Sequence, residues 1–170
     1  KTGNYPGVTV SRSEGVARIH DHTFAIEDLP GTYSLSPISP DEQVVVDVLE
    51  GRMDQVSAPD ALVVVTDATA LRRSLLLLAE VLPRHLPTAV VVTMTDELRR
   101  RQGSLDVTAL SQALGVPVVA VVANRGIGIG ELRNLLTTWH DWDRPPLDPP
   151  SRSSELAGWV DSVLDTAGYE

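Results

Sequence analysis

The sequence contains no cysteine, so disulfides, thiolate metal centres and thiol nucleophiles are excluded from the outset. Positive charge is also scarce. Fourteen Lys and Arg stand against 23 Asp and Glu, for a formal net charge of −9. That balance argues against non-specific nucleic-acid binding and against a polybasic patch for a membrane surface. It does not argue against a nucleotide, whose phosphates are held by backbone N–H groups, one lysine and a metal ion. Long apolar runs are missing too. The longest, Ala61–Val65 and Val116–Val122, are strand-sized and fall far short of the roughly 18 residues that span a bilayer. No signal-peptide pattern occurs.

What is present is the composition of a folded domain. Hydrophobic residues make up 42% and charged residues 22% of 170 positions, enough for one α/β domain with a core and a short appendage. The first residue is Lys1 rather than Met, which reads as a processed, truncated or partial chain.

Three Val-rich runs, Ala61–Thr66, Ala89–Thr93 and Val116–Val122, are too short for helices and read as strands. Their hydrophobicity is continuous rather than alternating, the pattern of a parallel sheet covered on both faces. Helix-length segments lie between and after them. Leu71–Leu82 carries leucines at 71, 75, 78 and 82; Val107–Leu114 follows the N-cap candidate Asp106 and stops at Gly115; Glu131–His140 follows a glycine-rich loop. This alternation predicts a doubly wound α/β sheet. At the front, Val8–Ser13 and Thr23–Glu27 read as an antiparallel ribbon joined to the sheet edge, with Glu14–His22 between them. Pro145, Pro146, Pro149 and Pro150 predict a stiff linker, and Ser151–Ala167 one amphipathic helix.

The most informative stretch is Glu27–Pro40, EDLPGTYSLSPISP. An acidic residue ending a strand, followed two residues later by glycine, is the Asp-x-x-Gly arrangement of nucleotide switches. Asp28 at a strand's carboxyl end can hold Mg²⁺ through water, and the Gly31 N–H can approach a terminal phosphate because no Cβ blocks it. Alone, the tetrapeptide fits any strand-to-turn transition. It does not stand alone, because Gly3–Val10, GNYPGVTV, lies upstream.

Together these segments resemble the FeoB family of bacterial ferrous-iron transporters. The family's first switch reads close to Gly-Asn-Trp-Pro-Gly-Val-Thr-Val, and its second close to Asp-Leu-Pro-Gly-x-Tyr-Ser-Leu. Asp28–Leu35 and the helix start Ser39-Pro40-Asp41-Glu42 match nearly throughout, with Tyr5 where the family often has Trp. The resemblance implies a Ras-like P-loop GTPase fold, a mostly parallel sheet with one antiparallel edge strand, flanked by helices. It implies a GTP-binding domain over 1–144, then a linker and the start of a helical regulatory domain over 145–170. GTP or GDP, Mg²⁺ and K⁺ are the implied ligands. Thr9 and Asp28 would serve Mg²⁺, and the backbone near Gly3–Tyr5 would hold potassium. Gly7 and Val8 would lie along the nucleotide, with Thr9 and Gly31 acting in catalysis. Thr32 and Tyr33 stand where many GTPases place a water-orienting glutamine, so hydrolysis is expected to be slow.

The base-reading motif of GTPases, Asn-Lys-x-Asp, is commonly Asn-Met-x-Asp in this family. Here it reads Thr93-Met94-Thr95-Asp96. The carboxylate that pairs with guanine N1 and N2 is kept, and the amide is replaced by a hydroxyl. The later loop, Val122-Ala123-Asn124-Arg125-Gly126-Ile127-Gly128-Ile129-Gly130, resembles the family's Ser-Ala-(Arg/Lys) loop. By that match the Ala123 N–H would touch the guanine oxygen, flanked by Val122 and Asn124. The phosphate-binding loop is expected upstream of Lys1. The chain without it is expected not to hydrolyse GTP, and the intact protein to be a GTPase.

Other features read as structural. Asp67 or Thr69 caps the helix after the first Val-rich strand. His20-Asp21-His22 falls at the ribbon's turn with no third ligand, and His140, Asp141 and Asp143 around Trp139 and Trp142 read as a helix end. The resemblance implies a place on the cytoplasmic face of the bacterial inner membrane, as a soluble domain. Its implied partners are the transmembrane part of the same transporter and a small accessory protein of the iron system, with no nucleic acid. Two alternatives remain open. One is a degenerate, non-hydrolysing G domain serving as a scaffold. The other is a soluble GTPase of ribosome assembly or tRNA modification, which the Pro-Gly-Val-Thr and Leu-Pro-Gly-Thr-Tyr-Ser-Leu runs count against.

Overall fold

The computed structural model describes Thr2–Trp142 and Asp148–Glu170, and of Ser153 the backbone only. Asp143, Pro145 and Pro146, assigned above to a helix end and a linker, lie outside the described residues. The chain divides into two units, Lys1–Asp60 and Ala61–Glu170.

The first unit is built on an antiparallel sheet, β1 (Thr2–Asn4), β2 (Ser11–Ile19) and β3 (His22–Asp28), in that order. The ribbon is longer than the sequence suggests. β2 runs on through Gly15, which pairs with Ile26, and the turn shrinks to His20 and Asp21 between the paired ends Ile19 and His22. Gly15 falls in the segment expected to connect the strands, and the cross-strand ladder carries it into β2 instead. The strand also starts later than Val8. Pro6 and Gly7 form a type II turn, with Gly7 at φ +77° in the position that requires a left-handed residue. The Val8 N–H donates to the Tyr5 carbonyl at 3.3 Å and the Tyr5 N–H to the Val10 carbonyl at 3.0 Å, which closes the loop.

Helix α1 (Pro40–Leu49) begins as the sequence demands. Ser39 Oγ accepts the Glu42 N–H, Pro40 fills the first turn, and the Glu42 carboxylate accepts the Ile38 N–H at 2.8 Å. Its Val44 and Val48 join Tyr5, Val10 and Val56 in the unit's core, with Val8, Leu29 and Met53 packed on it.

The second unit holds a parallel sheet, β4 (Leu62–Asp67), β5 (Thr88–Thr93) and β6 (Val118–Ala120). Central β5 is buried from Thr88 to Val92, as a doubly covered strand should be. β4 is an edge strand of this sheet and leaves Val63 and Val65 exposed, where cover on both faces was expected. β6 is shorter than the Val116–Val122 run. Pro117 has no N–H for the ladder, and Val122 leaves it to pair with Ile127.

Helices α2 (Leu71–Val81) and α4 (Val107–Leu114) bury Leu71, Leu75, Leu78, Leu110 and Leu114 against the sheet. α4 is capped by the Asp106 side chain and ends at Gly115 in the left-handed region, as predicted. Asp67 caps a 3₁₀ turn, Ala68–Ala70, that leads into α2; its Oδ1 accepts from the Thr69 N–H and hydroxyl, both at 2.7 Å. α5 (Ile129–Thr137) ends in a turn where Trp142 is buried and donates to the Leu135 carbonyl at 3.2 Å. The closing helix α6 (Ser153–Thr166) buries Val160, Val163 and Leu164 in the same cluster as Leu75 and Leu110.

Candidate functional site

The first unit assembles the two predicted switches around one apolar cluster. Val8 and Val10 sit on either side of Thr9, and Leu29 follows Asp28; all three contribute to the core that Tyr5 centres. Thr9 and Asp28 themselves are exposed, and neither side chain is engaged in a hydrogen bond or ion pair among the described residues. Their hard oxygens therefore fit a divalent cation in water. Asp28 ends β3 opposite Ser13. Gly31 lies in the loop beyond, and a Cβ there would meet nothing within 4 Å. The fold itself thus sets no need for glycine at that position. Thr32 is spent locally, its hydroxyl donating to the Ser34 carbonyl at 2.5 Å.

Of Gly3–Tyr5, whose backbone is expected to hold potassium, Gly3 and Asn4 lie in β1 and pair with Arg12 and Ser11. Tyr5 is buried in the cluster, and its hydroxyl has no hydrogen-bond partner among the described residues. Burial, reinforced by the nearby Glu27 carboxylate, pushes this phenol well above its ordinary pKa.

The second unit carries the predicted base pocket. β5 ends at Thr93, Met94 takes a left-handed conformation (φ +59°), and α3 (Thr95–Arg100) begins at once. Thr93 Oγ1 donates to the Thr66 carbonyl at 2.8 Å, so this hydroxyl ties β5 to β4. The loop after β6 folds as a 3₁₀ turn, Ala123–Arg125. Val122 is buried at its base and exchanges hydrogen bonds with Ile127 at 3.0 and 3.3 Å. Ala123 opens that turn and is exposed. Gly128 is required by sterics: at φ +78° a Cβ would lie 2.0 Å from the Ala120 carbonyl oxygen.

These two segments line one open cleft of about 530 Å³, formed by Asp96, Arg99, Arg100, Asn124 and Arg125. Of the predicted residues the cleft brings together Asp96 and Asn124. Thr93, Met94, Val122 and Ala123 are their chain neighbours and do not line it. The arginines escaped sequence reasoning, although Arg99 stands one helical turn beyond Asp96 and Arg125 directly follows Asn124. His20 and Asp21 form the hairpin turn, and no group of three or more His, Asp or Glu is placed to hold a metal among the described residues.

Comparison with known proteins assigns these features to a family. The family described as ferrous iron transport protein B (FeoB_N) matches residues 1–136. The Fe(2+) transporter FeoB of Salmonella choleraesuis is 41% identical over 174 residues, covering 99% of this chain and 21% of that protein. Among solved structures, the cytosolic domain of L. pneumophila FeoB superposes with a TM-score of 0.78 at 32% identity, covering 91% of this chain and 59% of that one. A mutant S. thermophilus NFeoB bound to GDP gives 0.75 at 33% identity, over 90% and 57% of the two chains. The chain spans about a fifth of the length of the curated relatives it matches. Switch sequences, sheet and helix order and these likenesses agree: the chain belongs to the FeoB family of ferrous iron transport proteins.

Proposed function

We propose that this chain is the guanine-nucleotide switch of a ferrous-iron transporter, hydrolysing GTP slowly to regulate passage of iron through a membrane part of the same protein. The observation that carries the reading is the meeting of Asp96 and Asn124 in one cleft beyond the ends of β5 and β6. The likeness to a GDP-bound relative supports it. In this reading Asp96 accepts two hydrogen bonds from guanine N1 and N2, and the Ala123 N–H donates to the guanine oxygen. Asn124 lines the cleft beside the base, and Thr93, Met94 and Val122 support it as chain neighbours. Gly7, Val8 and Thr9 face the phosphates, and the Gly31 N–H reaches the terminal one. Thr9 and Asp28 hold Mg²⁺, which when bound neutralises charge on the phosphates. Thr32 and Tyr33 lack an amide to orient water, which is the reason for slow turnover. The partners are the transporter's membrane part and an accessory protein of the iron system, with the domain on the cytoplasmic face.

The test is nucleotide binding by the product of the complete gene. Guanine nucleotides are expected to bind with Mg²⁺ dependence, and Asp96→Asn to move preference from guanine to xanthine. Failure of GTP and GDP to bind at millimolar concentration would end the proposal.

A second reading, a degenerate scaffold that does not hydrolyse, draws on the commitment of the Thr93 hydroxyl to Thr66 and on the apolar Val122. Equal, weak binding of GTP and ATP would favour it.

A further inference from the structure

The second unit holds another cavity, of about 210 Å³, which shares Arg99 with the open cleft and none of its other lining residues. Its walls are Thr95, Leu98 and Arg99 of α3, Leu105 and Val107 on either side of the α4 cap, and Ala120 of β6. Gly103 and Ser104 complete the lining. The frame is held by backbone. The Gly103 N–H donates to the Leu98 carbonyl at 3.0 Å, and Ser104 exchanges hydrogen bonds with Glu170 at 3.2 and 3.3 Å. A Cβ on Gly103 would lie 2.5 Å from both the Glu170 backbone oxygen and Leu98 Cδ1, so glycine is what lets loop, helix and tail meet here. A cavity framed in this way is formed before any ligand arrives, which lowers the cost of binding.

Three polar side chains interrupt an otherwise apolar lining. Ser104 has given its proton to the Gly168 carbonyl at 2.8 Å. Thr95 is only 8% exposed, and its hydroxyl makes no hydrogen bond among the described residues. Buried hydroxyls are nearly always partnered, so an unpartnered one in a cavity wall points to a ligand. Arg99 carries the one charge in the lining among the described residues, and no ion pair engages it there. The carboxylate beside it on α3, Glu97, is already taken by Arg100 and Arg101.

A molecule that satisfies these groups has an apolar tail and one anionic head that only accepts hydrogen bonds. A carboxylate meets the second requirement: its two oxygens match a guanidinium fork and still accept a hydroxyl proton. A phosphate dianion does not, because a single guanidinium leaves half its charge uncompensated in a chain of net charge −9. Size sets the tail. A cavity of about 150 Å³ holds benzene, so this one has room for a ring or a branched chain with its carboxylate.

We propose that this cavity is a binding site for a small monocarboxylate with an apolar tail. The tail lies on Leu98, Leu105 and Val107, and the carboxylate is taken by the Arg99 guanidinium and the Thr95 hydroxyl. The site does not depend on the nucleotide reading, which assigns neither Thr95 nor Arg99 to the base or the phosphates.

The experiment is ligand-observed fluorine NMR with 4-fluorobenzoate on the full-length gene product. The probe is expected to bind with Kd on the order of 1 mM. Two controls, 4-fluorobenzyl alcohol without the charge and trifluoroacetate without the tail, should each bind about tenfold more weakly or worse. Arg99→Gln, at an exposed position that should tolerate it, is expected to lose on the order of tenfold in affinity for the probe. Thr95→Val, which keeps the shape and removes the hydroxyl, should lose about fivefold. Leu105→Phe fills the cavity and should abolish binding, with thermal melting to show that each variant is folded. Arg125→Gln, which alters only the open cleft, should leave affinity for the probe unchanged. Parent affinity retained in both Arg99→Gln and Thr95→Val overturns the site, as does equal binding of the acid and the alcohol. Loss of binding in Arg125→Gln overturns it too, by placing the probe in the open cleft. So does an absence of binding by the parent at about 20 mM, which would leave the cavity to water.

Discussion

Arg12 holds Glu27 with two hydrogen bonds, Nε to Oε1 at 3.0 Å and Nη2 to Oε2 at 3.3 Å. The register makes this grip consequential. Glu14 and Glu27 face each other directly across β2 and β3, a like-charge pair that destabilises a sheet, and Arg12 also bridges to Glu14 at 3.3 Å. One guanidinium thus compensates both carboxylates, and it lies 6.0 Å from the centre of the Tyr5 ring. Arg12→Ala should cost about 1 kcal/mol in urea denaturation, a value already reduced for solvent screening. Adding Glu14→Gln should restore part of the loss, since it removes the repulsion. A double variant no more stable than Arg12→Ala alone would contradict this account.

Tyr5 beneath that network gives a pH signature. Its phenol is held above its ordinary pKa by burial first and by the Glu27 carboxylate second. The folded form therefore retains a proton that the unfolded chain releases near pH 10. The resulting stability is fully present below about pH 10 and is lost as pH climbs toward the folded value. In an ultraviolet titration of the three tyrosines, one should ionise late, together with unfolding, and Tyr5→Phe should abolish that phase. Because the buried hydroxyl has no hydrogen-bond partner among the described residues, Tyr5→Phe should also leave neutral-pH stability unchanged or slightly higher. A loss of several kcal/mol would show that the hydroxyl is satisfied after all.

Where sequence reading succeeded, a local rule acted without competition. Asp106 and Gly115 bracket α4 because an N-cap oxygen and a left-handed C-terminal residue serve that helix whatever surrounds it. Ser39 starts α1 for the same reason. Reading failed where a longer-range ladder overrode local preference, as at Gly15, carried through β2 by its pairing with Ile26. It failed again at Val8, where Pro6 and Gly7 impose a turn before the strand can begin. The Asp28 and Gly31 motif stood out in the sequence because the fold itself does not ask for glycine at position 31. The arginines of the cleft did not, because exposed arginines are ordinary, and only folding brings Arg125 to the same cleft as Asp96.

Two glycines make opposite predictions. Gly128→Ala combines a left-handed backbone with a Cβ placed 2.0 Å from the Ala120 oxygen, so the loop must move. We expect a cost on the order of 3 kcal/mol and, under the switch proposal, weaker nucleotide binding, read by thermal melting and nucleotide affinity. Gly31→Ala has open space and an ordinary backbone, so melting should be unchanged within about 0.5 kcal/mol. Under the switch proposal the same substitution should weaken GTP relative to GDP, because the new methyl stands where the terminal phosphate approaches. A Gly31→Ala protein with unaltered preference between GTP and GDP would remove Gly31 from the phosphate site.

The closing helix supplies the last prediction, which bears on domain organisation. A helix that merely began a separate helical unit would contribute little to the core of the parallel sheet. Instead α6 buries Val160, Val163, Leu164 and Ala167 beside Leu75, Leu78, Leu110 and Leu114. The Asp106 N–H, at the cap of α4, donates to the Ala167 carbonyl at 2.8 Å, and Ser104 exchanges backbone hydrogen bonds with Glu170 at 3.2 and 3.3 Å. Leu164→Ala should therefore cost about 3 kcal/mol and lower a single cooperative transition of the parallel-sheet unit. Asp161→Asn, which breaks only the exposed ion pair with Arg72, should leave that transition in place. If Leu164→Ala instead melted α6 alone, with hydrogen exchange at β5 unaffected, α6 would be an independent element docked on a domain complete without it.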